Sequence, residues 1–253
     1  MTLTTLRGLL LALCVWPCAA PLTAQTWYAQ PSARYLTDDA PDGFQFQWSA
    51  PTSSCDGTCA FTVFTGRQTT IGMPAAFGIA DFTNDEYGFV DRVPFRDWPW
   101  SDSGMVGFAA SRQIASFGHG DIGDIVALEA EVGVAQRYGS QTQLEVWGAF
   151  YLRWKQFPWN RLVKTTVAIS TGLNWASGIS AHEVRSSQNG EGSQLLHYLS
   201  PEITFALPKY PDQELVFRFH HRSGGGDMFG PNSIFNNTRG GSNYVNVGLR
   251  WRF

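Results

Sequence analysis

His221 and Ser223 stand two residues apart in the run Phe219-His220-His221-Arg222-Ser223. Together they are a base and a nucleophile: an imidazole that takes the hydroxyl proton lets the oxygen attack a carbonyl carbon, the first step of ester hydrolysis. Residues i and i+2 of a strand share a face and lie about 6.7 Å apart along the chain. A bent strand end and an extended imidazole close that gap to hydrogen-bond distance. The row they end is apolar, because Leu215, Phe217 and Phe219 precede them at every second position. Counting back along the last segment, Phe253, Trp251, Leu249, Val247 and Val245 lead to Asn243, which a hairpin would set beside His221. The plainer alternative is that His220 and His221 are solvated rim residues and that Gly224-Gly225-Gly226 only turns the chain.

The elements that must position these residues follow from a period of two. Val126, Leu128, Ala130, Val132 and Val134 alternate with Ala127, Glu129, Glu131, Gly133 and Ala135, which is strand periodicity with no helical component. The same alternation runs through 143–154, 163–175, 199–207, 214–220 and 245–253, and more weakly through 60–66 and 105–111, which makes eight segments. The polar face mixes charge with Gly, Ala and Ser, as a narrow packed lumen requires. Glu129, Glu131, Glu145, Glu202 and Glu214 would face Arg153, Lys164, Arg218, Arg250 and Arg252 there. Unpaired, each would carry a large desolvation cost, so an internal ion-pair network is predicted. The fold expected is an eight-stranded antiparallel outer-membrane β-barrel.

With both termini periplasmic, long outer loops should alternate with short inner turns. The outer candidates are 67–103, 138–142, 176–194 and 222–242, and the inner ones 113–122, 155–161 and 208–213. Trp154, Trp159, Trp175, Tyr198, Tyr210 and Trp251 fall near segment ends, where interfacial aromatic girdles form. The final run, ending in Phe253, resembles the terminal strand that the outer-membrane assembly machinery reads. The aromatic-dense stretch 88–100 could pack on the barrel rim or meet acyl chains, and packing is the expectation.

Composition agrees with a surface that faces something other than water. The 253 residues are 43% hydrophobic, 14% aromatic and only 15% charged, against roughly 25% charged in ordinary soluble chains. With 18 Lys+Arg and 21 Asp+Glu the formal charge is -3, too little basic field to hold a nucleic acid. Arg7, the apolar run 8–20 and the small residues up to Ala24 read as a cleaved signal peptide over 1–24. A spanning helix would need about 18 apolar residues, and Pro17 and Pro21 interrupt this run. Residues 25–58 are taken as a polar periplasmic extension and 59–253 as the barrel. Cys14 and Cys18 leave with the signal, and Cys55 and Cys59 are expected to form a small loop disulfide. His182 and His197 lack metal-ligand spacing, so no metal and no cofactor are expected.

The run Phe219-His220-His221-Arg222-Ser223-Gly224-Gly225, then Pro231-Asn232, Gly240-Gly241-Ser242-Asn243 and a terminal strand ending in Phe, resembles the C-terminal hairpin of PagL-type lipid A 3-O-deacylases. The resemblance is specific over 215–253 and architectural from residue 59 onward. It implies an outer-membrane ester hydrolase of lipid A in lipopolysaccharide whose site lies outside the barrel. His221 would be the base, Ser223 the nucleophile, and Asn232 an oxyanion donor, with Asn236 or Asn237 as alternatives. The family's acid falls on Asn243, or on Ser242 if the alignment slips by one, so the expected carboxylate is missing. Asp227, Glu183 or Glu191 from neighbouring loops are candidates to replace it. The rival function is a non-catalytic OmpA-like barrel whose long loops bind or stabilise. A palmitoyltransferase barrel is disfavoured because it needs an apolar pocket inside.

Overall fold

The structure is a computed structural model that describes residues 43–253 apart from 51, 82–87, 120–121, 186, 188–189, 226–232, 237 and 239. The signal region 1–24, residues 25–42, Asp227, Asn232 and Asn237 therefore lie outside the described residues. The strands are β1 (Phe44–Trp48), β2 (Cys59–Thr69), β3 (Ala80–Asp81), β4 (Gly88–Phe89), β5 (Trp100–His119), β6 (Gly123–Tyr138) and β7 (Leu144–Trp154). They continue with β8 (Lys164–Ala176), β9 (Leu195–Leu199), β10 (Glu202–Ala206), β11 (Gln213–Ser223) and β12 (Gly241–Arg252). Two short helices, α1 (Met73–Phe77) and α2 (Ala181–Arg185), lie in long loops.

Every strand pair is antiparallel, and the ladder closes on itself, from β2 through β5, β6, β7, β8, the interrupted strand β9/β10 and β11 to β12, which returns to β2. The result is a ring of 8 strands. Closure removes the open edges that a membrane would penalise. At the seam Phe253 N donates to the Cys59 carbonyl and Cys59 N to the Phe253 carbonyl. Pro201 explains the one interrupted strand: it has no N–H to give to the ladder, and its carbonyl instead accepts from Phe219 N at 2.9 Å.

The alternation resolves into two solvents. Val146, Phe150, Leu152, Ile169, Leu173, Phe217 and Leu249 stand exposed on the outside, with Phe150 at 54%. An apolar surface continuous around a ring far exceeds the few hundred Å² that water-soluble monomers tolerate, so the barrel spans a membrane. Inside, Glu202 accepts from Arg153 and Arg218 at 2.7 Å each and from Arg250 at 2.8 Å. Glu131 pairs with Arg218 at 2.7 Å, Glu129 with Arg153 at 2.9 Å and Arg252 at 3.0 Å, and Glu214 with Arg250 and Arg252. Nearer the long-loop end Glu145 joins Arg137, His220 and Asn174. Arg137, absent from the expected set, is a central member. Lys164 sits half-buried at the start of β8.

Several expectations need correction. The segment 113–122 is not all turn: β5 runs to His119, and bulges near Gln113–Ala115 and Phe117–Gly118 hide its period. Part of the polar extension is wall, because β1 pairs with Ala115–His119 of β5 just below β2. The loop between β1 and β2 is closed by a disulfide from Cys55 to Cys59, the first residue of β2. It is tied down by Arg112 Nη2, which donates to the carbonyls of Ala50 and Ser53 at 3.1 and 2.7 Å. Tyr198 belongs to the lumen rather than to a girdle. It is fully buried, 3.2 Å from both Tyr151 Oη and His220 Nδ1.

Replacing the shared acid should expose the cost of this network. Glu202→Leu leaves the guanidinium groups of Arg153, Arg218 and Arg250 short of one buried anion, and breaking such a pair costs about 3–5 kcal/mol. Thermal or urea unfolding in detergent micelles, followed by circular dichroism, should show a clearly lowered midpoint. An unchanged midpoint would mean that the lattice contributes nothing.

Candidate active site on the outer wall

The β11–β12 ladder decides what stands beside His221. Its register pairs His221 with Asn243, Arg222 with Ser242 and Ser223 with Gly241. Odd positions of β11 point out and even ones in, so His220 and Arg222 belong to the lumen while His221 and Ser223 belong to the outer wall. Ser242 follows the inward phase, and its hydroxyl meets Arg137 inside the barrel. The alignment that puts Ser242 behind the histidine is thereby excluded.

Four groups form one hydrogen-bonded line across the wall. His221 Nε2 is 2.9 Å from Ser223 Oγ, and His221 Nδ1 bonds Asn243 Oδ1. Asn243 Nδ2 donates to the backbone carbonyl of Ile71. The last bond fixes the rest. A carbonyl can only accept, so the amide must present its nitrogen to Ile71 and its oxygen to the ring. That oxygen in turn requires the proton on Nδ1 and leaves Nε2 as an acceptor for the serine hydroxyl. This is the tautomer a general base needs.

The local sequence supports that geometry. Ser223 and Asn243 are 7% and 9% exposed, and His221 is half-buried with its ring stacked 6.4 Å from Phe219. Gly241, opposite Ser223, is obligatory: a Cβ there would lie 1.5 Å from the Arg222 carbonyl oxygen. Arg222 anchors the strand end from within, donating to the Gln194 carbonyl at 2.7 Å and approaching Glu183 at 3.7 Å.

Of the carboxylates proposed to stand in for an acid, Asp227 lies outside the described residues and Glu183 turns toward the lumen. Glu183 is fully buried in the lumen-side loop, where it forms a reciprocal capping box with Ser180: Ser180 N donates to Glu183 Oε2 at 2.8 Å and Glu183 N to Ser180 Oγ at 3.2 Å. Glu191 is exposed in the same loop. Asn236, an alternative oxyanion donor, gives its amide to the Gly192 carbonyl at 2.7 Å and braces one loop on another.

The histidine dismissed as a metal ligand is also part of this wall. His197 on β9 pairs in register with Ser223, on the side away from Asn243. Its Nε2 lies 2.9 Å from Thr171 Oγ1. The missed signal was phase: Leu195, His197 and Leu199 share the outward row. From His197 an open, largely apolar groove of about 620 Å³ runs along the wall between Phe150, Leu173, Ile234 and Phe235. On the other side of the site, residues between β2 and β5 cover Phe219. It is 6% exposed, although Phe217 in the same row is 41%.

No family model matches the chain, and no curated protein matches it in sequence. Among solved structures it is similar to Neisserial surface protein A, with a TM-score of 0.43 and 11% identity over 78% of this chain and 97% of that one. It is also similar to the de novo designed protein TMB2.3, with a TM-score of 0.35 and 12% identity over 78% of this chain and 94% of that one.

Proposed function

We propose that the chain is an outer-membrane ester hydrolase that removes an acyl group from lipid A of lipopolysaccharide, the activity of the family its terminal hairpin resembles. The observation that supports it is the Ser223–His221–Asn243 line on the face that meets lipid. Placed there, a nucleophile meets esters of membrane lipid without a channel, and the groove beside His197 has an apolar lining suited to hydrocarbon.

In the proposed reaction Ser223 Oγ attacks the ester carbonyl as its proton passes to His221 Nε2. The tetrahedral intermediate collapses, the bond to the sugar oxygen breaks, and His221 returns the proton to that oxygen. Water, deprotonated by His221, then releases the fatty acid from the acyl-serine. Asn232 is the proposed oxyanion donor, together with backbone N–H groups beyond Ser223. Asn243 holds the ring in its working tautomer but cannot neutralise the imidazolium that forms, as the carboxylate of a Ser-His-Asp triad does. In this setting the protein belongs to the outer membrane of a Gram-negative bacterium, with its long loops outward. The signal peptide directs its export, and the strand ending in Phe253 is read by the assembly machinery. The amide behind His221 is the observation that favours the second reading, a non-catalytic OmpA-like barrel.

Mass spectrometry of lipid A from cells with and without the protein separates the two. Loss of one acyl chain that depends on both Ser223 and His221 is expected, and unchanged lipid A, or activity that survives Ser223→Ala, would overturn the proposal. Asn243→Leu frees the imidazole and should lower kcat by ~10² with little change in KM, since a misplacement near 1 Å carries that penalty. Gly241→Ala forces the Arg222–Ser223 backbone away and should abolish hydrolysis while the purified barrel keeps its circular dichroism spectrum. Equal rates for Gly241→Ala and the parent would show that the close apposition of the strands does not set the nucleophile.

A further inference from the structure

The described residues between β2 and β5 lie over the outer wall, where Ile71, Met73 and Ala76 bury Phe219 and pack around Leu199 and Val245. All three of these wall residues lie on outward rows, the rows that elsewhere meet lipid. Phe77 meets Phe219 edge-on at 5.2 Å, and Trp98 meets it from another side at 6.0 Å. The segment is knit into one unit: Val93 N donates to the Ala75 carbonyl at 2.8 Å, Val90 N to Ile79 at 3.3 Å and Trp98 Nε1 to Val93 at 2.9 Å. Thr70 N and Thr69 Oγ1 both donate to the Pro99 carbonyl and close its base.

This unit keeps large apolar side chains exposed where an aqueous loop would be polar. Phe77, Ile79, Phe89 and Phe95 are exposed, Phe89 at 88%. Asp91, Arg92, Arg96 and Asp97, exposed as well, are interleaved with them along the chain. Large apolar side chains interleaved with charge are the composition of segments that lie at the boundary of headgroups and acyl chains. Two observations thus coincide: the unit sits on wall that belongs to the lipid-facing belt, and its own free surface continues that belt.

We infer that the described residues between Ile71 and Trp98 form a strap inserted in the lipid around the barrel, and that its partner is the membrane lipid itself. The strap ends at the candidate site, because the Ile71 carbonyl orients Asn243. Lipid contact along the strap therefore bears on the tautomer of His221. The inference concerns where the strap lies and holds whether or not the barrel hydrolyses anything.

Nitroxide labels on Phe89→Cys and Ile79→Cys test it in phosphatidylcholine–phosphatidylglycerol vesicles. Phe217→Cys serves as the wall control, Ala181→Cys as the water-facing control, and the chain without an added cysteine as the blank. Collision with oxygen should exceed collision with a water-soluble nickel chelate at positions 79 and 89, as at 217 and opposite to 181. Preference for the nickel chelate at both strap positions would overturn the inference. So would low collision with both reagents accompanied by dipolar broadening, which would mean that a second copy of the chain covers the strap. A lipid-facing result alongside unaltered lipid A would keep the strap and discard the hydrolase.

Discussion

The fold rests on buried charge that has to be neutralised in place. Glu202 accepts from three guanidinium groups at once, and each of those arginines reaches a second acid, Glu129, Glu131 or Glu214. None of these groups can leave without stranding its partners, so the lattice is all-or-none in a way that an aliphatic core is not. It ties β6, β7, β10, β11 and β12 together across the lumen, which ladder bonds between neighbours cannot do. Tyr151, Tyr198, Trp147 and His220 pack together beside the ion pairs, so the described lumen is lined by charge and by aromatic groups with polar tips, unlike the apolar pocket a palmitoyltransferase would need.

On the outside the constraint reverses. Polar groups in a lipid-facing row must satisfy one another, and here they do so in sequence: the serine on the histidine, the histidine on the amide, the amide on a main-chain carbonyl. The carbonyl belongs to the strap rather than to the barrel, which couples the tautomer at His221 to the packing of α1 on Phe219. Arg222, between the two key residues but facing inward, fastens the same strand end to the loops that carry Ser193, Gln194 and Glu183. The site thus has one anchor on each side of the wall.

Much of this was legible because strand phase is a strict code. Leu215, Phe217 and Phe219 occupy the outward row of their strand, so His221 and Ser223 share that row, and the register sets Asn243 beside His221. The same code would have found His197, had its row been followed instead of its metal-ligand spacing. What stayed hidden depends on contacts that periodicity does not encode. Bulges shifted the phase of β5 and disguised seven residues of strand as turn. Tyr198 was drawn to a girdle by its residue type, although its even phase places it with Leu196 in the lumen. Residues 88–100 were expected to pack on the rim, and nothing in the composition of the strap specified Phe219 as the contact or Ile71 as the residue that holds Asn243.

The amide at position 243 is best understood from both its ends. A carboxylate there would stabilise an imidazolium, but it would also set an anion against the Ile71 carbonyl, with no hydrogen left to donate. An amide loses the charge and keeps both bonds, so it joins strap and ring where an acid would repel the strap. In a water-filled cleft that exchange would favour the acid, because solvent could separate the carboxylate from the carbonyl. Asn243 is only 9% exposed, and an unpaired anion buried there costs far more than a weakened base. The amide at position 243 and the docking of the strap are therefore one structural fact, and the same hydrogen bond carries both.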